Sequence, residues 1–214
     1  MTPFALPARI IPVVEIEDAS AAAPLAAALL AGGLPVAEIT LRTPAGIEAI
    51  RIIARDYPEL TVGAGTVLDE RAAEAAVEAG AGFLVSPGFS PDVSQAAALL
   101  GVPLVPGAVT ATEILACLDA GHRTVKFFPA ETAGGLAALR ALAAPFAHTG
   151  LRFVPTGGIR LESLGGYFAE ASVVAVGGTW IATREAIVDG RWADIEEAAR
   201  VAVATAAVGT EVAA

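Results

Sequence analysis

From one end of the chain to the other, short β-branched runs alternate with alanine-rich segments of helical length, and no other feature restricts the fold as much. The runs occupy 11–16, 36–41, 60–64, 83–86, 104–106, 124–128, 152–155 and 173–176. Helical segments are expected to begin near Ala19, Thr43, Asp69, Pro91, Thr110, Gly134, Leu161 and Asp189, several opened by a Ser, Thr or Asp cap or a first-turn proline. The strand runs are apolar without alternating polarity, as parallel strands covered on both faces must be. Eight βα units in 214 residues match a closed (β/α)8 barrel of the TIM type better than an open doubly wound sheet. No linker rich in Pro, Gly or Ser interrupts the repeat, so the expectation is a single domain over 1–214 with a fraying end after about Val203.

Composition narrows what such a barrel can bind. There are 23 acidic and 13 basic residues, a formal net charge of -10, so nucleic acid and anionic membranes are not attracted from a distance and an anionic ligand must be caught by local contacts. The most apolar stretch, 19–31, carries Pro24 and is shorter than the roughly 18 residues of a membrane span; it is expected to be a helix packed on the core. A lone Cys117 allows no internal disulfide and no cysteine metal cluster, and no charged leader with an apolar run opens the chain, so the cytoplasm is the expected compartment. His122 and His148 are scattered without a carboxylate at ligand spacing, so no metal site is expected. Cys117 reads as a small buried hydrophobe, Trp180 and Trp192 as core or interface, and the Gly63-Ala64-Gly65 stretch lacks the rest of a dinucleotide fingerprint.

In a barrel of this kind, function gathers at the carboxyl ends of the strands. Twelve of the 13 basic residues are arginines, and the only lysine, Lys126, lies in the sixth strand run between Val125 and two phenylalanines. Partial desolvation, together with repulsion from Arg42, favours the neutral amine, which attacks ketones as no guanidinium can. The alternative is a lysine paired with Glu38 or Glu131 to fix strand register. Glu38, Thr40 and Arg42 share one face of the second run by the period-two rule. Glu38 can therefore be a salt-bridge partner of Lys126, an acid/base beside it, or both. The glycine pairs Gly157-Gly158 and Gly177-Gly178 follow the seventh and eighth runs, where bare backbone N–H groups and a short helix terminus commonly hold a phosphate. Thr179 adds a hydroxyl and 179–181 the expected helical turn; tight turn geometry alone is the competing explanation for the glycines.

The stretches EITLRT at 38–43, VGAGTV at 62–67, SPG at 86–88, VKFFPAE at 125–131, PTGGI at 155–159 and GGTW at 177–180 resemble those of the 2-keto-3-deoxy-6-phosphogluconate (KDPG) and 4-hydroxy-2-oxoglutarate (KHG) aldolase family, over about 11–202. That resemblance implies a class I aldolase, with no metal and no cofactor, in which Lys126 forms the Schiff base and Glu38 is the acid/base. It also implies that Arg42 and Thr66 hold the substrate carboxylate and that Pro87 and Phe128 line the pocket. Thr156, Gly157, Gly158, Gly178 and Thr179 would then hold a distal phosphate. The implied assembly is a homotrimer, and the implied partner is a small phosphorylated 2-keto acid, gluconate- or galactonate-derived, or the smaller 4-hydroxy-2-oxoglutarate. Thr179 stands where relatives often carry serine, and Glu15 where some are neutral or basic; an acid at that position opposes an anionic substrate if it faces the barrel mouth. Outside the family, the same residues suit a phosphosugar isomerase or synthase with Lys126 as an electrostatic clamp, or a non-catalytic sensor of sugar-acid phosphates.

Overall fold

A computed structural model of the chain describes residues 8–211. Its strands are β1 (Ile10–Val14), β2 (Val36–Thr40), β3 (Thr61–Gly65), β4 (Leu84–Val85), β5 (Leu104–Val105), β6 (Thr124–Phe127), β7 (Arg152–Pro155) and β8 (Val176–Gly178). Each lies within or overlaps one of the β-branched runs, and all their pairings are parallel. Six strands pair in the order β5-β4-β3-β2-β1-β8 and two as β6-β7. Bridges at Gly107↔Lys126, Phe153↔Val173 and Thr156↔Gly177 join the two groups, so the sheet closes on itself as the eightfold repeat requires.

Closure gives each strand an inside and an outside. Alternate residues Ile11, Val36, Phe83, Val85, Val105 and Val154 form an apolar plug within the barrel. The residues between them, such as Val14, Ala37, Ile39, Val62 and Val125, pack outward under the helices. Those helices are α1 (Ala22–Ala31), α2 (Gly46–Asp56), α3 (Glu70–Glu78), α4 (Pro91–Leu100), α5 (Ala111–Asp119), α6 (Gly135–Ala143), α7 (Leu164–Phe168), α8 (Arg184–Val188) and α9 (Trp192–Glu211). Their starts carry the caps read from the sequence. Asp69 accepts from the Ala72 N–H, Ser90 from that of Val93 ahead of Pro91, and Thr110 forms a capping box with Glu113.

Three local expectations are corrected. The final helical candidate, placed near Asp189, is two helices, because Gly190 adopts φ +66 and breaks the chain between α8 and α9. The chain does not fray after Val203 but continues helically to Glu211. The inner face of α9, with Ile195, Ala199, Ala202 and Ala206 buried, packs on α1 and α7, and burial of that face replaces the weak stability of an isolated helix. Third, the chain at 179–181 bends without making a helical turn. The six-membered ring of Trp180 folds back onto Gly178, where an added Cβ would lie 1.9 Å from it. Stretch 19–31 is a short 3₁₀ turn (Ala19–Ala21) followed by α1. Among the described residues no helix is long and apolar enough to cross a membrane.

Candidate active site

Above the apolar plug the interior turns polar. Glu38 and Thr40 of β2, Lys126 of β6 and Thr156 after β7 are buried polar residues at the carboxyl-terminal half of the barrel. Lys126 Nζ donates to Glu38 Oε1 at 2.9 Å across the interior, with side-chain exposures of 7% and 4%. Burying two charges is costly unless they are paired at good geometry, and this pair satisfies that condition. Of the groups expected around Lys126, the Glu38 carboxylate is the one at hydrogen-bond distance from its ammonium. Glu131, the other partner considered for Lys126, instead accepts from the Tyr167 hydroxyl at 2.7 Å.

Space for the Glu38 carboxylate comes from a neighbouring strand. A Cβ on Gly65 would lie 2.2 Å from Glu38 Oε1, and one on Gly63 would lie 2.3 Å from the Phe83 ring. Glycine weakens a strand in general, and here the two glycines admit side chains that fill the barrel. The Thr40 hydroxyl donates to the Val14 carbonyl at 3.1 Å, which ties β2 to β1 at the level where Arg42 leaves the sheet.

Arg42 is half exposed in the loop after β2, and its guanidinium lies 3.8 Å from Glu15 Oε2. Glu15 Oε1 lies 3.7 Å from Arg184, which also meets Glu17 at 2.8 Å. The acid at the end of β1, which would oppose an anionic substrate if it faced the mouth, is thus shared between two guanidiniums. Thr66 follows β3 with φ +60, a genuine outlier for a β-branched residue and the sort of strain that persists where surrounding structure dictates it. Pro87 is exposed after β4, with its carbonyl pressed against Gly107, and the Phe128 ring centroid is 5.3 Å from Lys126 Nζ.

At the ends of β7 and β8 the glycine pairs differ. Gly157 and Gly158 have φ +101 and +78, and among the described residues neither N–H is given to a protein acceptor. Gly177 makes room for the Thr156 hydroxyl, 2.3 Å from where its Cβ would stand, and Gly178 for Trp180. Close packing thus requires glycine at both positions of the second pair. Thr179 is exposed beside them. Arg42, Thr66, Pro87, Phe128, Thr156, Gly157, Gly158, Gly178 and Thr179 lie at or beyond the carboxyl end of a strand, with Glu38 and Lys126 inside β2 and β6.

The other conspicuous residues are structural. The His122 ring shares a hydrogen bond with Ser94 Oγ at 2.8 Å, and burial holds its pKa below the usual imidazole value. Burial, reinforced by Glu113, pushes the Cys117 thiol up to about 12. Among the described residues no group of three or more His, Cys, Asp or Glu is placed to hold a metal ion. Two contributors escaped the sequence reading. Gly65 left a signal, a glycine directly after the third strand run; the Glu131–Tyr167 contact, spanning 36 positions, left none.

Fold and site together define a closed (β/α)8 barrel whose sole lysine is buried against a carboxylate on the rim where such barrels place their chemistry. The family model described as KDPG and KHG aldolase matches residues 5–198, and the chain belongs to that family. It is 45% identical over 196 residues to the 2-dehydro-3-deoxy-phosphogluconate aldolase of Pseudomonas aeruginosa, covering 92% of this chain and 88% of the relative. It is 43% identical over 194 residues to the KHG/KDPG aldolase of Escherichia coli, covering 91% and 90%. Among solved structures it superposes with TM-score 0.87 and 38% identity on the KDPG aldolase from Legionella pneumophila, with pyruvate captured at low pH as a covalent carbinolamine intermediate. The match covers 91% of this chain and 94% of that one.

Proposed function

We propose that the chain is a class I aldolase that cleaves 2-keto-3-deoxy-6-phosphogluconate to pyruvate and D-glyceraldehyde 3-phosphate through a Schiff base on Lys126. The observation that carries this reading is the buried 2.9 Å contact between the only lysine and Glu38, in a chain of an aldolase family. Moving one proton along that hydrogen bond converts ammonium and carboxylate into a neutral amine and a carboxylic acid, the pair that nucleophilic attack and dehydration require. Lys126 Nζ adds to the C2 carbonyl to give a carbinolamine, the kind of adduct caught in the Legionella structure. Loss of water, with Glu38 as proton donor, leaves an iminium. The C4 hydroxyl gives its proton to the Glu38 carboxylate left by that step, the C3–C4 bond breaks, and its electron pair flows into the iminium to form an enamine as the aldehyde leaves. Protonation at C3 and addition of water then release pyruvate and free Lys126.

Arg42 and Thr66 hold the carboxylate in this reading, the guanidinium offering a planar bidentate contact. Pro87 and Phe128 wall the reacting carbons. The distal phosphate meets Gly157, Gly158, Gly178, Thr179 and Thr156. The unpaired Gly157 and Gly158 N–H groups support that placement; with no helical turn at 179–181, backbone N–H groups and the Thr179 hydroxyl carry it. The E. coli relative, whose name holds both activities, favours 4-hydroxy-2-oxoglutarate as a second substrate. The domain reading remains one unit over 1–214, assembled as a homotrimer and working in the cytoplasm, where phosphorylated sugar acids are held and a lone thiol such as Cys117 stays reduced.

Borohydride added with pyruvate tests the chemistry. One reduced pyruvyl adduct per chain, mapped to Lys126 by peptide mass spectrometry, is expected. An unchanged mass, or an adduct confined to the amino terminus, refutes the Schiff base and leaves Lys126 the clamp of an isomerase or a sensor.

A further inference from the structure

The side chain of Glu131 passes beside Gly158, one of the two glycines assigned to the substrate's phosphate, with its Cγ 3.1 Å from where a Cβ there would stand, and a carboxylate turned toward that group would repel it. The structure draws it away. Tyr167, buried to 1% exposure on α7, donates its hydroxyl to Glu131 Oε1 at 2.7 Å. Burial first, and the neighbouring carboxylate second, raise the phenol's pKa, so it stays a donor at neutral pH. The other carboxylate oxygen faces the start of α6, 3.1 Å from where a Cβ on Gly135 would stand, at the helix end that favours negative charge.

The same residue touches the glycine loop twice. Its backbone N–H donates to the Gly157 carbonyl at 3.0 Å. Its Cβ would lie 2.8 Å from a Cβ on Gly158, a separation only glycine permits at φ +78. We propose that Glu131, anchored by Tyr167, is a positioning residue that holds the Gly157–Gly158 loop in its left-handed conformation and thereby sets affinity for the phosphorylated substrate. The proposal rests on the phosphate reading above. Glu131 does not touch the reacting atoms; it acts through the loop.

Three measurements on each variant test it: kcat and KM with the phosphorylated substrate, the same with 4-hydroxy-2-oxoglutarate, and exchange of the pyruvate methyl protons. Tyr167→Phe and Glu131→Ala should each raise KM for the phosphorylated substrate about tenfold, the effect of losing one hydrogen bond to a charged group. They should leave its kcat, the unphosphorylated substrate and the exchange within about twofold. Glu131→Gln, which keeps an acceptor for Tyr167, should restore most of the lost affinity, and the double variant should be no worse than either single one. Should Tyr167→Phe fail to fold, Glu131→Ala, altering an exposed residue, carries the test alone. Equal loss of all three activities in a folded variant, or an unchanged KM, overturns the proposal. A wild type that uses both substrates with equal efficiency overturns the phosphate reading and this proposal with it; a wild type that discriminates, with variants that discriminate as well, overturns the proposal alone.

Discussion

Replacing Gly65 by alanine isolates the alignment of the Lys126–Glu38 pair from everything else in the barrel. The added Cβ would stand 2.2 Å from Glu38 Oε1, 2.7 Å from Cγ and 2.8 Å from the carboxyl carbon, against 3.4 Å or more in ordinary contact. The carboxylate must therefore retreat by about 1 Å, a misplacement that typically costs about 10²-fold in rate. Overpacking adds a stability loss of about 1–3 kcal/mol, roughly 2–12 °C in Tm for a chain of this size. Gly63→Ala is the matched control. It lies on the same face of β3, and the atoms nearest to its Cβ would be those of the Phe83 ring, at 2.3 Å, so it should cost comparable stability and far less activity. Steady-state turnover of the phosphorylated substrate, measured well below both melting temperatures, makes the comparison, and borohydride trapping should still label Lys126 in both variants. If kcat/KM of Gly65→Ala lies within about twofold of the Gly63→Ala value, the position of the Glu38 carboxylate does not govern the chemistry.

Glu38→Gln keeps the shape of the pocket and should lower kcat by about 10² to 10⁴; near wild-type turnover would make Glu38 only a structural partner of Lys126. Gly158→Val, strained at φ +78 and crowded by Glu131, should reduce kcat/KM for the phosphorylated substrate by about 10² while pyruvate methyl-proton exchange survives, since exchange needs only Lys126, Glu38 and the carboxylate grip. His122 sets a pH dependence: its folded pKa is lowered, whereas the unfolded imidazole takes up a proton near 6.5. The unfolded state therefore binds more protons as pH falls below that value, and stability drops until the folded pKa is also passed. Thermal denaturation between pH 7 and pH 5 should show a smaller loss for His122→Gln than for wild type, and equal losses would assign the acid sensitivity to other groups.

The sequence by itself pointed to the barrel, because eight apolar runs separated by capped helical segments are parallel strands covered on both faces, and eight such units in 214 residues suit a closed ring better than an open doubly wound sheet. It also singled out Lys126 and Glu38: a single lysine amid apolar residues and an acid inside an apolar strand are each too costly to bury without a partner. Tertiary structure alone decided which carboxylate that partner is. Glu38, 88 positions from Lys126, and Glu131, a few positions beyond it, were both possible partners, but only closure of β5 onto β6, and of β7 onto β8, brings Glu38 across the interior to within 2.9 Å and leaves Glu131 to Tyr167. The surroundings of Glu15 were settled in the same way, since the two arginines that share it come from the loop after β2 and the start of α8. Local pattern also misjudged the two ends of the last unit. Trp180 folding onto Gly178 replaces a helical turn with a bend, and packing on α1 carries α9 past the point where an isolated helix would fray. Periodicity and capping are properties of neighbours along the chain and can be read there; contacts between residues tens of positions apart depend on how the ring closes, and that is specified only by all eight strands together.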